Sequence, residues 1–314
     1  ADFSPVQFYV TSIACVVLGV FSFTLPHTPP PAAGKKASVR EILGLDALQL
    51  MKSPSFSAFL VSSFLICIPL AAYYAFAPVF AGSVLVGNAN VEAIKESTGG
   101  WINLADIATT MSFGQISEIV FMLLMPLLFV RMGAKWMLAV GMLAWVVRYG
   151  LFAGADTNDV MWMVILGILL HGICYDFFFV TGFIYPDKRC TKAIRGQAQG
   201  LLVLVTQGLG LGIGAQVMGR IVGFYTPPEA AELQGQAAAL SKEAFATTDV
   251  AKAAELQEQA QALGLEASKL MDWQSIWLIP CIAAGVVMLI FIALFKDDSI
   301  DPNLTADDAA KASS

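Results

Sequence analysis

Ser112, Gln115 and Glu118 recur every third residue inside the otherwise apolar run Met111-Ser112-Phe113-Gly114-Gln115-Ile116-Ser117-Glu118-Ile119-Val120. At that spacing they form a polar stripe on one face of a helix. An ionisable group at membrane depth costs at least ~2.5 kcal/mol on insertion scales. The stripe is therefore expected to face a helix bundle or a watery cavity, not lipid. Its chemistry would be reversible protonation at Glu118 and directional hydrogen bonding by the Gln115 amide. The bland alternative is a carboxylate paired with a neighbouring helix.

A second constellation is His171-Gly172-Ile173-Cys174-Tyr175-Asp176-Phe177-Phe178. His171, Tyr175 and Phe178 share a face, which can stack on a flat ligand or serve ordinary helix packing. Asp176 lies about 100° round from Tyr175. Its structural alternative is an ion pair with Arg148, which sits well inside Ala144-Trp145-Val146-Val147-Arg148-Tyr149. The run Gln207-Gly208-Leu209-Gly210-Leu211-Gly212-Ile213-Gly214 resembles a phosphate loop only superficially, since it lacks the preceding strand and the lysine. Glycines four apart, Gly208 with Gly212 and Gly210 with Gly214, point instead to close helix packing. Gln199 and Thr206, seven apart on the same stretch, share a face that can look into a cavity.

The elements that hold these residues must be membrane helices. Hydrophobic residues make up 57% of the 314-residue chain and charged ones 13%, and the mean hydropathy is +0.70. A soluble domain carries roughly a quarter of its residues charged, so most of this surface must face something other than water. Seven segments match the ~17–25 apolar residues a spanning helix needs: about 6–25, 54–81, 104–130, 134–154, 160–185, 196–224 and 273–295. The runs are unbroken instead of alternating, which argues helix over barrel strand. Pro69, Pro78, Pro126 and Pro280 interrupt them, as neighbouring helices allow.

Loop charge gives an expected orientation. Basic loops (Lys35, Lys36, Arg40 and Lys52; then Arg131 and Lys135; then Lys188, Arg189, Lys192 and Arg195; finally Lys296) alternate with acidic ones (Glu92, Lys95 and Glu96; Asp156 and Asp159; the stretch 225–272). The positive-inside rule then puts the N-terminal end outside and the C-terminus in the cytoplasm. In 40–51 the apolar positions Ile42, Leu45, Leu48 and Leu50 suit a short helix on the cytoplasmic interface. Segment 229–271 repeats itself, Ala230-Ala231-Glu232-Leu233-Gln234 returning as Ala253-Ala254-Glu255-Leu256-Gln257, and suggests two helices of an external hairpin. The first apolar run has no positive n-region or cleavage site before it, and the expectation is a fragment of a longer protein.

Several function classes are disfavoured. The net charge of −6 gives no footprint for nucleic acid. Cys15, Cys67, Cys174, Cys190 and Cys281 are scattered without metal-ligand or redox spacing, and there are only two histidines. No metal, no cofactor and no catalytic set is expected.

The chain resembles the nucleoside:proton symporters of the major facilitator superfamily, the bacterial nucleoside permeases, over roughly 6–225 and 272–296. The resemblance is carried by Phe23-Thr24-Leu25-Pro26-His27, Leu43-Gly44-Leu45-Asp46-Ala47, Gln115-Ile116-Ser117-Glu118, Ala144-Trp145-Val146-Val147-Arg148, Tyr175-Asp176-Phe177-Phe178, Arg195-Gly196-Gln197-Ala198-Gln199-Gly200 and Asp272-Trp273-Gln274-Ser275-Ile276-Trp277-Leu278. It implies an all-α fold of twelve helices in two halves, of which about seven are here. Residues 1–25 would be helix six, 26–53 a cytoplasmic central loop, 54–296 the C-terminal six-helix bundle with 225–272 an extracytoplasmic hairpin, and 297–314 a cytoplasmic tail. It implies that Gln115, Glu118, Tyr74, His171 and Tyr175 bind substrate and that Glu118 or Asp176 couples protons.

The expected function is nucleoside–proton symport in the inner membrane, with the lipid bilayer and a missing N-terminal half as partners. Ala71 and Tyr74 stand where the family's best-known members carry two amides, and His171 where they carry a tyrosine. A transporter of another polar solute such as a sugar is the alternative, ahead of a non-transporting sensor or an intramembrane enzyme.

Overall fold

The computed structural model describes residues 6–27, 38–39, 44–158, 160–191 and 194–297. Lys35, Lys36, Arg40, Ile42, Leu43, Asp159, Lys192 and the tail from 298 lie outside the described residues. Those described are helical, with no strand among them. Helix α1 (Val6–Ser22) is apolar and exposed along its length from Phe8. A 3-10 helix over Leu45–Lys52 follows, with Ala47 buried and the Asp46 N–H donating to Gln197 Oε1 at 3.2 Å.

Ser53 caps α2 (Pro54–Leu85): its side chain accepts from the Phe56 N–H, and Pro54 occupies the first turn, where no donor is needed. A short α3 (Ala89–Ser97) leads to α4 (Ile107–Asn158), which is broken at Gly133 with φ 70° and ψ 175°. Only glycine holds that conformation without strain, and the two parts pack on one another, Met125 beside Met137. The chain continues through α5 (Met161–Arg189), α6 (Arg195–Phe224), α7 (Pro228–Ala246), α8 (Val250–Lys269) and α9 (Trp273–Leu294).

Five helices (α2, α4, α5, α6 and α9) are long and apolar enough to cross a membrane. The break at Gly133 turns α4 into two passes, and α1 is a shorter apolar helix of 17 residues. The helix ends gather into two opposite rims. At one, Arg189 Nη2 donates to Ser53 Oγ at 3.2 Å, the Lys135 N–H donates to Asp297 Oδ2 at 3.2 Å, and Arg195 pairs with Asp187 at 2.7 Å. The Ser55 hydroxyl also donates to the Lys296 carbonyl there. At the other, Lys269 Nζ donates to the Val86 carbonyl at 3.1 Å, and Trp273 Nε1 to the Ser268 carbonyl at 2.7 Å. The first rim carries Lys135, Arg189, Arg195 and Lys296 of the basic loops; the second carries the hairpin of α7 and α8, closed toward its tip by a Lys252–Glu243 pair at 3.4 Å.

Aromatic tiers fill the bundle. Phe56, Phe59, Tyr185 and Phe295 cluster near the basic rim. Phe80, Phe152, Trp273 and Trp277 cluster near the other. The glycine run packs as one pair and not two. Cβ atoms built on Gly210 and Gly214 would fall 2.7 Å from Cys67 Cβ and 2.6 Å from the Ile68 carbonyl. Gly212 meets nothing within 4 Å, and Gly208 touches only Leu204 of its own helix. Ala71, 2.8 Å from a Cβ on Gly214, is small because α2 and α6 touch there.

Candidate functional site

Helix α5 is interrupted where the site forms. Leu170 breaks the regular turn, a short α segment runs His171–Tyr175, and Asp176–Val180 is a π-helical segment. The restart at His171 leaves first-turn N–H groups without helical partners. One of them, Gly172 N–H, donates to Ser117 Oγ of α4 at 2.9 Å, and that hydroxyl donates to the Gly114 carbonyl at 2.7 Å. A Cβ on Gly172 would sit 2.6 Å from the Ser117 backbone, so the two helices are in backbone contact. Interruptions of this kind recur at functional sites.

That contact brings two of the expected site residues together. His171 Nε2 and Glu118 Oε1 lie 2.9 Å apart. The imidazole is buried, and its other nitrogen, Nδ1, has no hydrogen-bond partner among the described residues. Its ring stacks on Tyr73 (centroids 5.2 Å, planes 20° apart) and leans on Tyr175 at 5.9 Å. Tyr73 also carries the Arg148 guanidinium 4.1 Å from its ring centroid. Glu118 comes about 17 Å along α4 from Ile107 at ~1.5 Å per residue, roughly half the ~30 Å that a spanning helix must cover.

Tyr74, half exposed, meets Tyr73 edge-on at 5.9 Å. With Tyr175, Phe179, Gln207 and Leu211 it lines a cavity of about 250 Å³ between α2, α5 and α6. Gln115 lies nearly one turn from Glu118 on the exposed side of α4. With its nitrogen turned to the helix, its amide donates to the carbonyls of Met111 (2.8 Å) and Ser112 (3.3 Å), leaving the oxygen outward. Tyr74, Glu118, His171 and Tyr175 therefore form one neighbourhood, with Gln115 on its rim.

Asp176 does not join them. It is fully buried, and neither carboxylate oxygen has a hydrogen-bond partner among the described residues. The ion pair with Arg148 is not formed: the three guanidinium nitrogens are likewise without hydrogen bonds among the described residues, and the cation rests on the Tyr73 ring instead. Gln199 and Thr206 also depart from expectation. Gln199 donates to Asp187 at the basic rim at 3.3 Å, and the buried Thr206 hydroxyl donates to the Leu202 carbonyl. Gln207 faces the cavity in their place. Its position at the head of the glycine run disguises it, although an amide in an apolar span is the same signal that marks Gln115. Nothing in the periodicity marks Tyr73.

Membrane-length helices, one of them interrupted beside a polar and aromatic cavity, are an arrangement that recurs in secondary transporter bundles. The sequence model of the Nucleoside H+ symporter family matches residues 1–248, and the chain belongs to that family. It is 39% identical over 235 residues to the putative nucleoside transporter YegT of Escherichia coli (strain K12), covering 72% of this chain and 51% of that protein. It is 26% identical over 306 residues to the nucleoside permease NupG of Escherichia coli (strain K12), covering 94% of this chain and 59% of the permease. A crystal structure of the nucleoside transporter NupG, in a mutant form, superposes with a TM-score of 0.63 at 26% identity over 93% of this chain and 61% of that one. The likeness supports a major facilitator fold. The chain spans about half the length of the curated relatives it matches.

Proposed function

We propose that this bundle is the C-terminal half of a proton-coupled nucleoside symporter of the inner membrane, working by alternating access against a second bundle. The observation that carries the reading is the Glu118–His171 pair at 2.9 Å, at mid-depth and beside the Tyr74–Tyr175 cavity. The cavity's aromatic rings suit stacking on a base. The Glu118 carboxylate and the outward Gln115 oxygen suit ribose hydroxyls, and Glu118 exchanges the proton, with Asp176 as the second carboxylate at that depth. At about 250 Å³ the cavity falls below the ~300–1,000 Å³ usual for a whole ligand site, which suits a site completed by the opposing bundle. The basic rim, by the positive-inside rule, is cytoplasmic; the hairpin and the N-terminal end are then outside.

Uptake of labelled uridine by the complete transporter, in cells lacking other nucleoside uptake, tests this. Accumulation should collapse with a protonophore and in Glu118→Gln, and nucleosides should compete where sugars do not. Unchanged accumulation in Glu118→Gln would remove Glu118 from the mechanism. Competition by sugars alone would favour a sugar transporter on the same fold.

A further inference from the structure

Resting on that symport reading, we infer that His171 carries the coupled proton jointly with Glu118, the Nε2···Oε1 contact being the place of exchange. At 2.9 Å the two atoms accommodate either arrangement of one proton. A protonated carboxyl donates to Nε2, or the O–H bond breaks, an N–H bond forms, and an imidazolium faces a carboxylate. Neither side chain has to move for the transfer. Removing the proton leaves a neutral imidazole whose Nε2–H donates to the carboxylate, so the contact survives unloading as well.

The surroundings separate this from a histidine with a fixed structural role. Such rings are held in one tautomer by a hydrogen bond at the second nitrogen. Here Nδ1 has no such partner among the described residues, and apart from the Nε2 contact with Glu118 the ring is held by packing, against Tyr73, Tyr175 and the Gly114 turn. Both tautomers are therefore open to it. The titratable and charged groups that face the pair are Tyr73 on α2 and Tyr175 on α5, whose rings meet His171, with Arg148 of α4 and Tyr74 of α2 both seated on Tyr73; Cys174 and Asp176 are buried on the same helix as His171. From α6 the cavity receives the neutral Gln207. Arg148 is a permanent cation sharing the Tyr73 platform. Loading the pair then adds one net positive charge. A ligand hydroxyl entering the cavity would compete with His171 for the Glu118 carboxylate, which links binding to the state of the proton.

The test uses the complete transporter in proteoliposomes, comparing the unsubstituted protein with His171→Gln and His171→Tyr. Glutamine retains a hydrogen-bond donor, and tyrosine a ring with a donor, but neither exchanges protons near neutral pH. Two quantities are read: uridine accumulation driven by an imposed pH gradient, and uridine exchange without one. The ratio of accumulation to exchange should fall at least about tenfold in both variants, a modest loss for removal of a proton-transfer group. The pH profile of accumulation should change with it. An unchanged ratio and pH profile in either variant would overturn the inference, as would a proportionate loss of accumulation and exchange in correctly inserted protein. Should His171→Gln fail to insert, His171→Tyr decides. If the unsubstituted protein shows no gradient-driven uptake, it is the symport reading that fails, and not the assignment of the proton to His171.

Discussion

Gly172 and Ser117 meet backbone to side chain, the glycine N–H donating to the serine hydroxyl at 2.9 Å, and this contact sets the distance between His171 and Glu118 on either side of it. A Cβ on Gly172 would reach 2.6 Å from the Ser117 carbonyl carbon and oxygen. Those are backbone atoms and cannot swing aside. Gly172→Ala should therefore separate α4 from α5, with an overpacking loss of about 1–3 kcal/mol. Thermal unfolding in detergent would register it as a lower Tm, and proton-driven uptake should fall with it. A variant with the parent's Tm would mean the helices are not in backbone contact here.

Two glycines on α6 should behave differently despite sharing one motif. Gly214→Ala places a methyl group against the Ile68 carbonyl and Ala71, whereas Gly212→Ala enters open space. The first should lower the Tm by an overpacking loss of about 1–3 kcal/mol. The second should cost nothing measurable, since alanine is the better helix former by about 1 kcal/mol. Equal losses in the pair would argue against the α2–α6 interface described above.

Arg148 is fully buried and, among the described residues, makes no hydrogen bond; its cation rests on the Tyr73 ring. A buried cation in this state adds little to folding, and apolar replacements of buried charges are often neutral or stabilising by about 1–4 kcal/mol. Arg148→Met should leave the Tm unchanged or raise it, while reducing uptake, because an unpaired charge inside a membrane bundle is retained for function. A large fall in Tm would show instead that the guanidinium is structural.

The proposed orientation can be read with a membrane-impermeant maleimide in a variant lacking all five cysteines. Gln259→Cys, on the hairpin helix α8, should label in intact cells. Lys296→Cys, at the basic rim, should label only after permeabilisation. The reverse pattern would invert the topology.

Much of the site's chemistry is legible in the residue order alone. Glu118 and Gln115 stand out because a carboxylate and an amide cannot be left in hydrocarbon, an argument that needs only the local run of residues. The break at Gly133 separates the two spans expected on either side of it. The faces of α5 and α6 are harder to assign. Placing Gln199 and Thr206 on one cavity face extrapolates a 3.6-residue repeat across Leu204–Gly210, and that segment is π-helical. An i→i+5 turn shifts the phase of the residues around it, so Gln207 faces the cavity and Thr206 turns inward.

By itself, then, the sequence determined the membrane class and the presence of polar groups within apolar helices, since hydropathy is local and sums along the chain. Partnership was decided by the tertiary structure. His171 faces Glu118 because Gly172 lets α5 touch α4, and Arg148 rests on Tyr73 instead of Asp176 because three helices converge on one ring. Such contacts join residues from different helices, and their geometry follows from packing that no single segment encodes.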